Sequence, residues 1–112
     1  MAYEIHLVPA AARQLKKIKT RADKRLIAEA VRGLASNPLP SGFSTVEGLP
    51  DFYRVKAREY RIVYTIKEDE QIIVVGRIAH RREVYRRLAD VATSMKVFVS
   101  RRGKARPPKE RV

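Results

Sequence analysis

Apolar and cationic residues alternate strictly between Phe52 and Arg58, and this pattern limits the possible fold more than any other part of the sequence. A period of two residues indicates a β-strand with one buried face and one exposed face. A turn near Glu59 and a second predicted strand from Tyr60 to Ile66 complete an antiparallel hairpin. The apolar face of the first strand carries Tyr53, Val55 and Ala57, and its polar face carries Arg54, Lys56 and Arg58.

The remaining patterns predict an α+β fold, because strands and helices do not alternate as βαβ units. The N-terminal strand and a helical hairpin are predicted to pack on an antiparallel sheet, with a helix at the C-terminal end. Segment 39–50 is rich in Pro and Gly and is predicted as a loop, with or without a short strand. The other predicted elements are a strand Tyr3–Val8, a helix from Pro9 to about Ile18, a helix Arg21–Ser36, a strand Ile72–Ala79 and a helix Arg82–Ala92.

Length and composition exclude several classes of protein. A chain of 112 residues is the size of one domain. It has no cysteine and only two histidines, which excludes disulfide scaffolds, thiolate zinc sites and histidine-rich metal sites. We therefore expect no metal and no cofactor. The 25 Lys and Arg against 12 Asp and Glu give a net charge of +13, which favours a polyanion as partner.

The last twenty residues carry +6 of this charge and are rich in Pro and cations towards their end. We expect a folded domain over 1–92 and a basic, largely disordered extension over 93–112. The apolar triplet Val97-Phe98-Val99 is compatible with a short strand or with packing on the domain. No secretory signal and no apolar run of membrane-spanning length is visible, so we expect a cytoplasmic protein without membrane contact.

Several cations are predicted to converge on one face of the sheet. Strand alternation places Arg54, Lys56 and Arg58 in one row, and Arg61 follows on the neighbouring strand. Arg77 lies late in the last strand, before a cluster at its exit. Such a face is either simply solvated or neutralises phosphates, and an aromatic side chain beside it offers a surface on which a base stacks. The exit cluster comprises His80, Arg81, Arg82 and Tyr85.

Two strings in this region resemble the RelE/ParE toxin superfamily. They are YRVKAREYRIVY at 53–64 and VGRIAHRREVY at 75–85. The resemblance covers about residues 1–92 and implies the RelE-like microbial RNase fold. It also implies one of two activities: RelE-like members cut mRNA on the ribosome, whereas ParE-like members poison DNA gyrase. The strand cations match the RelE-like set, which favours the nuclease.

The resemblance implies a metal-independent endoribonuclease in which the 2′-OH attacks its own phosphate, leaving a 2′,3′-cyclic phosphate and a 5′-OH. Its matching positions assign Lys56 as the base at the 2′-OH. They assign Arg54 and Arg61 to the phosphate, Arg81 to the leaving oxygen and Tyr85 to base stacking. Nearby cations at Arg58, Arg77 and Arg82 are expected to contact RNA.

Two positions depart from the family pattern. The family has a lysine where this chain has Arg54, and arginine is a poor proton carrier. The segment around 79–82 varies in length, so Arg81 and Arg82 both match the position of the acid. His80 is a third candidate for proton donor, because imidazole exchanges protons near neutral pH, although it equally suits a capping or packing role.

The resemblance also implies partners. A type II toxin is neutralised by a cognate antitoxin, and the net charge of +13 suggests an acidic one. The nuclease acts on mRNA in the ribosome and inhibits translation. A gyrase-directed toxin and a non-catalytic RNA-binding or ribosomal protein remain the alternatives.

Overall fold

The computed structural model describes residues 2–102, which form a five-stranded sheet with helices on both faces. This arrangement confirms the predicted α+β class. No helix among these residues is long and apolar enough to cross a membrane. The elements are β1 (Glu4–Leu7), α1 (Pro9–Lys16), α2 (Arg21–Gly33), β2 (Ser44–Val46), β3 (Leu49–Ala57), β4 (Tyr60–Lys67), a single 3₁₀ turn (Glu68–Glu70), β5 (Ile72–His80) and α3 (Leu88–Arg102).

The sheet has the strand order β1-β5-β4-β3-β2. Strands β3 to β5 form the predicted antiparallel meander, and the short strand left open in segment 39–50 is present as β2, antiparallel to β3. Strand β1 pairs in parallel with β5, a pairing that the sequence patterns did not predict. The helical hairpin α1–α2 carries the chain away from β1, so β1 reaches β5 through a long connection, as parallel pairing requires.

The β3–β4 hairpin has the predicted alternation. Its buried side carries Val55, Ile62 and Tyr64. Arg58 does not continue the strand row, because β3 ends at Ala57 and Arg58 lies in the two-residue turn with a φ of 56°. A positive φ is uncommon outside glycine, and this backbone conformation turns Arg58 away from the face of the sheet.

Helices α1 and α2 cover the face of Ile62 and Tyr64, and helix α3 crosses the opposite face. The predicted apolar stripe of α2 is only partly buried. Its members Ile27, Val31 and Leu34 are in the core, whereas the Leu26 side chain is exposed. Strand β1 is more buried than predicted, because His6 on its expected polar side is fully enclosed and contacts Glu4.

The sequence predicted that the last helix begins at Arg82, and this was wrong. The helix begins at Leu88. The Arg77 guanidinium binds the carbonyl oxygens of Glu83, Val84 and Arg86. In a continuous helix these carbonyls would accept from backbone amides four residues on. Arg87 also has a φ of 51°, which interrupts helical geometry immediately before Leu88.

Helix α3 also continues past the predicted domain boundary at Ala92, as far as Arg102. The predicted disordered extension is therefore helical over 93–102, and its remainder, 103–112, lies outside the described residues. Met95 holds this helix to the sheet, because its fully buried side chain lies against Gly76. Gly76 is the extra residue of a β-bulge in β5, and a Cβ atom there would lie 2.0 Å from the Met95 sulfur.

Tyr64 provides a test of the helix-covered core. Its hydroxyl donates to the carbonyl of Pro38 at 2.6 Å, and burial raises the pKa of Tyr64 to about 12. We expect Tyr64→Phe to lower the free energy of unfolding by about 1–3 kcal/mol near neutral pH, because the part-buried carbonyl of Pro38 loses its donor.

The raised pKa also sets a pH dependence. The unfolded tyrosine ionises near its ordinary pKa of about 10, whereas the folded one keeps its proton up to about pH 12. This stability is present below pH 10 and is lost as the pH rises through that interval. Urea unfolding between pH 9 and 11.5 should therefore show a steeper loss for the native chain than for Tyr64→Phe. An equal loss of unfolding free energy with pH in the native chain and in Tyr64→Phe would contradict the raised pKa of Tyr64.

The contact between Gly76 and Met95 tests the docking of α3. We expect Gly76→Ala to cost about 1–3 kcal/mol through overpacking, and Met95→Ala about 2–5 kcal/mol through loss of buried contacts. The double variant should cost at least about 1 kcal/mol less than the two single costs together, because the smaller side chain makes room for the new methyl group. A Met95→Ala variant as stable as the native chain would mean that residues 93–102 do not dock on the sheet.

Candidate functional site

The antiparallel register places four cationic side chains on the face of the sheet that α3 leaves partly open. In one cross-strand row, Arg54 pairs with Val63 and Val63 with Arg77; in the next, Lys56 pairs with Arg61. Directly opposed residues of neighbouring strands project from the same face. We call Arg54, Lys56, Arg61 and Arg77 the cationic face. The sequence predicted that all four would converge here, but it also added Arg58, which was wrong.

No salt bridge joins any of the four cations to a carboxylate among the described residues, although Glu83 lies near enough to Arg77 to act on its charge. The Nη1 atom of Arg61 donates to the backbone carbonyls of Arg58 and Tyr60, both at 2.9 Å. The Arg54 guanidinium lies 5.5 Å from the ring centre of Tyr85, within cation–π distance. Lys56 is exposed, and no hydrogen bond or ion pair holds its ammonium group in the described part of the chain.

Like charges directly opposite each other across two strands are destabilising. Backbone carbonyls and an aromatic ring orient these cations but do not neutralise them. The cationic face is therefore suited to bind an anion with several oxygens, because a phosphate accepts forked hydrogen bonds from guanidinium groups.

Arg77 differs from the other three cations. Its Nη1 atom donates to the carbonyls of Glu83, Val84 and Arg86 at 3.4, 3.0 and 2.6 Å. Partial burial, together with the charge of Arg86, lowers the pKa of Arg77. The structure thus gives this residue the role of holding segment 81–87, which presents Tyr85. The RNA contact predicted for Arg77 stays a prediction.

The cluster at the exit of β5 divides between the two faces. Arg81 is bound to the β3–β4 turn, since its Nε lies 2.9 Å from a carboxylate oxygen of Glu59 and its amide donates to the Glu59 carbonyl. His80 pairs with Tyr60 and contacts its ring, so it projects from the face opposite Lys56. The Nδ1 atom of His80 accepts from the amide of Arg82 and so holds the turn after β5, but it caps no helix, because α3 begins only at Leu88.

The two other arginines expected to contact RNA are exposed. Arg58 lies 3.8 Å from Asp23 of α2, so it faces the helical hairpin. Arg82 projects from the turn after β5. The structure therefore brings together Arg54, Lys56, Arg61 and Tyr85, places Arg81 at the neighbouring turn and separates His80 from them.

A cleft of about 660 Å³ opens between the β2–β3 turn and the start of α3. Sequence reasoning did not identify it. A signal exists, because Glu47-Gly48 between two apolar residues is typical of a two-residue turn, and Gly48 has the φ of 80° that such a turn requires. The lining residues are Thr45, Val46, Glu47, Gly48, Leu49, Arg54, Tyr85, Leu88 and Ala89.

No group of three or more His, Cys, Asp and Glu side chains comes together within residues 2–102. The polar groups that converge on the open face are cations, a phenol and backbone carbonyls, with the carboxylate of Glu47 in the adjoining cleft. Such groups bind and orient an anionic ligand directly through hydrogen bonds.

Comparison with protein families shows which family the chain belongs to. The family described as the ParE toxin of the type II toxin–antitoxin system parDE matches residues 5–85, from β1 to the turn that carries Tyr85. The chain belongs to the ParE toxin family. This confirms the membership of the RelE/ParE superfamily that its two motifs indicated.

Individual relatives of this ParE-family toxin carry RelE-type names. Toxin RelG of Mycobacterium tuberculosis is 28% identical over 87 residues, which cover 78% of this chain and all of RelG. The toxin–antitoxin complex RelBE2 of the same organism contains a chain with a TM-score of 0.63 and 23% identity, covering 72% of this chain and 100% of that one. The isolated E. coli RelE toxin has a TM-score of 0.62 and 20% identity, and the match covers 84% of this chain and 99% of the RelE chain. These structures establish the RelE-like fold.

The role of Arg77 is testable without any assay of function. Arg77→Gln removes the charged donor from three carbonyls, and we expect the free energy of unfolding to fall by about 2–3 kcal/mol. Segment 81–87 should also become more open, so trypsin should cleave it faster in the folded variant. Arg82→Gln, in the same segment but exposed, is the matched control and should change stability little. Equal stability of both variants would contradict the role of Arg77.

Proposed function

We propose that this toxin is a ribosome-dependent mRNA endoribonuclease that inhibits translation. The observation that carries the proposal is the pairing of Lys56 with Arg61 beside Arg54 on one open face, with no carboxylate partner among the described residues. A scissile phosphate supplies the missing negative charge. RNA also supplies its own nucleophile, the 2′-OH. The protein therefore needs only to orient the strand, remove the proton of the 2′-OH and stabilise the charge that develops on the phosphate.

We assign separate tasks to the members of the site. Arg54 and Arg61 hold the phosphate, and the carbonyls bound to Arg61 fix the direction of its guanidinium. Such fixed donors stabilise the charge that develops on the phosphorane. Tyr85, with Arg54 over its ring, stacks on the neighbouring base. We assign Lys56 as the base, because no hydrogen bond or ion pair among the described residues holds its side-chain nitrogen away from the RNA.

The reaction conserves every atom of the RNA strand. Lys56 in its neutral form removes the proton of the 2′-OH, and the O2′ atom forms a bond to phosphorus. The bond between phosphorus and O5′ of the next nucleotide then breaks. The products are a 2′,3′-cyclic phosphate and a 5′-OH. Arg81 lies at the neighbouring turn, from which its guanidinium stabilises the charge on the leaving O5′. That oxygen takes up a proton from solvent water, and Lys56 returns its proton to solvent, so the step balances.

The proposal includes two macromolecular partners. The ribosome presents mRNA to the cationic face, and many diffuse phosphate contacts assist a chain with a net charge of +13. A cognate antitoxin, expected to be acidic, neutralises the toxin; a similar fold occurs in the RelBE2 toxin–antitoxin complex. Ribosomes and mRNA place this activity in the cytoplasm.

Gyrase inhibition is the second candidate, because the family that matches residues 5–85 is described by the ParE toxin. This function does not require the 2′-OH chemistry. It predicts inhibition of DNA supercoiling by the purified toxin and little effect of Lys56→Ala. The RelE-type relative RelG, matched over its full length, and the unneutralised cationic face support the nuclease instead.

Single-turnover cleavage of mRNA on programmed ribosomes tests the proposal. We expect Lys56→Ala to slow cleavage by at least about 100-fold, the usual loss when a general base is removed. Arg61→Ala should also slow it. Because Arg61 holds carbonyls of the β3–β4 turn, Arg61→Lys is the variant that separates loss of charge from loss of turn geometry.

Arg32→Ala is the matched control, since Arg32 is an exposed cation in the last turn of α2. It removes one positive charge and should cleave at the native rate. Equal rates for Lys56→Ala and the native toxin would overturn the assignment of the base. mRNA that binds to the toxin on ribosomes but stays intact would overturn the nuclease and favour a non-catalytic RNA-binding role.

A further inference from the structure

We propose that the cleft beside Tyr85 is a guanine-reading subsite, in which the Glu47 carboxylate accepts hydrogen bonds from the base next to the scissile phosphate. The inference rests on the proposed nuclease function, because that function places the RNA strand on the cationic face and so brings a base to the cleft. Arg54 belongs both to the cationic face and to the lining of the cleft, so an RNA phosphate held by Arg54 places an adjoining base at the cleft.

The walls of the cleft suit a flat aromatic ligand. Tyr85 is 48% exposed, and Arg54 lies over its ring. Leu49 and Leu88 add apolar surface. A volume of about 660 Å³ accommodates a nucleotide, since pockets for small ligands typically measure about 300–1,000 Å³.

Glu47 gives this cleft its specificity. It is exposed in the β2–β3 turn and lines the cleft together with Arg54. No hydrogen bond or ion pair is found for its carboxylate within residues 2–102. A free carboxylate beside a phosphate-binding arginine opposes the binding of an anion in general. It favours a ligand that brings donors to it.

Guanine is the base whose donors match a carboxylate best. Its Watson–Crick edge presents N1–H and the N2 amino group side by side, so both carboxylate oxygens accept at once. Adenine and cytosine each offer one amino group on this edge, and uracil offers only N3–H. The subsite therefore prefers guanine, and inosine, which lacks the N2 amino group, should bind less tightly than guanosine.

Two measurements test the subsite, one of which needs no catalysis. The first is equilibrium binding of 2′-O-methyl trinucleotides, which lack the attacking hydroxyl, with guanine, inosine or adenine at each position in turn. We expect the native toxin to bind guanine at one position at least about fivefold more tightly than adenine, the lower range for a bidentate base contact. The second is single-turnover cleavage of ribosome-bound mRNA with the same base changes.

Glu47→Gln should reduce the guanine preference to near unity in both assays, because an amide no longer offers two acceptors. Asp69→Asn is the control: it makes the same charge change at an exposed site in the β4–β5 connection and should keep the preference. A uniform gain in affinity for all bases in both variants would mean that Glu47 acts only through its charge and would overturn the inference. Absence of any guanine preference in the native toxin would also overturn it.

The two proposals fail separately. Guanine-selective binding that depends on Glu47, with no cleavage on ribosomes, would leave the subsite standing and reject the nuclease. Efficient cleavage whose base preference is the same with Glu47→Gln would keep the nuclease and reject the subsite.

Discussion

The repulsion between Lys56 and Arg61, directly opposed on β3 and β4, is the constraint on which the rest of the site depends. The antiparallel register places both side chains on the same face of the sheet, and like charges in this arrangement are destabilising. Backbone carbonyls orient Arg61, and the Tyr85 ring contacts Arg54, but neither removes a charge. A bound phosphate relieves this repulsion, so the feature that weakens the free fold is the one that strengthens anion binding.

One face of the sheet packs in the core, and the other carries the proposed site. Helices α1 and α2 close one face over Ile62 and Tyr64, whereas α3 covers only part of the other. Arg77 connects the fold to the proposed site, because its bonds to the carbonyls of segment 81–87 delay the start of α3 and present Tyr85 beside Arg54. A cation predicted to contact RNA is thus a residue that shapes the site.

The periodicity of the sequence predicted those features of the fold that depend on residues close together in the chain. The patterns of β3 and β4 predicted the hairpin, its buried face, and the positions of Arg54, Lys56 and Arg61 on the cationic face, although they wrongly added Arg58. Long-range interactions decided the rest. The start of α3 depends on a side chain of β5 that binds carbonyls of Glu83, Val84 and Arg86, and its continuation past Ala92 depends on space above Gly76. The parallel pairing of β1 and the cleft at Glu47 likewise arise only when distant segments meet.

Removal of the 2′-OH from the RNA tests most directly the proposal that the toxin cleaves mRNA by attack of this hydroxyl on the adjoining phosphate. Ribosomes programmed with an mRNA that carries a single 2′-deoxynucleotide at the mapped cleavage site are incubated with the native toxin, and the ends of the products are analysed. The account predicts that cleavage at that bond is abolished, and that unmodified mRNA gives a 2′,3′-cyclic phosphate and a 5′-OH. Cleavage of the deoxy-substituted bond at the normal rate, or products that end in a 5′-phosphate, would contradict it.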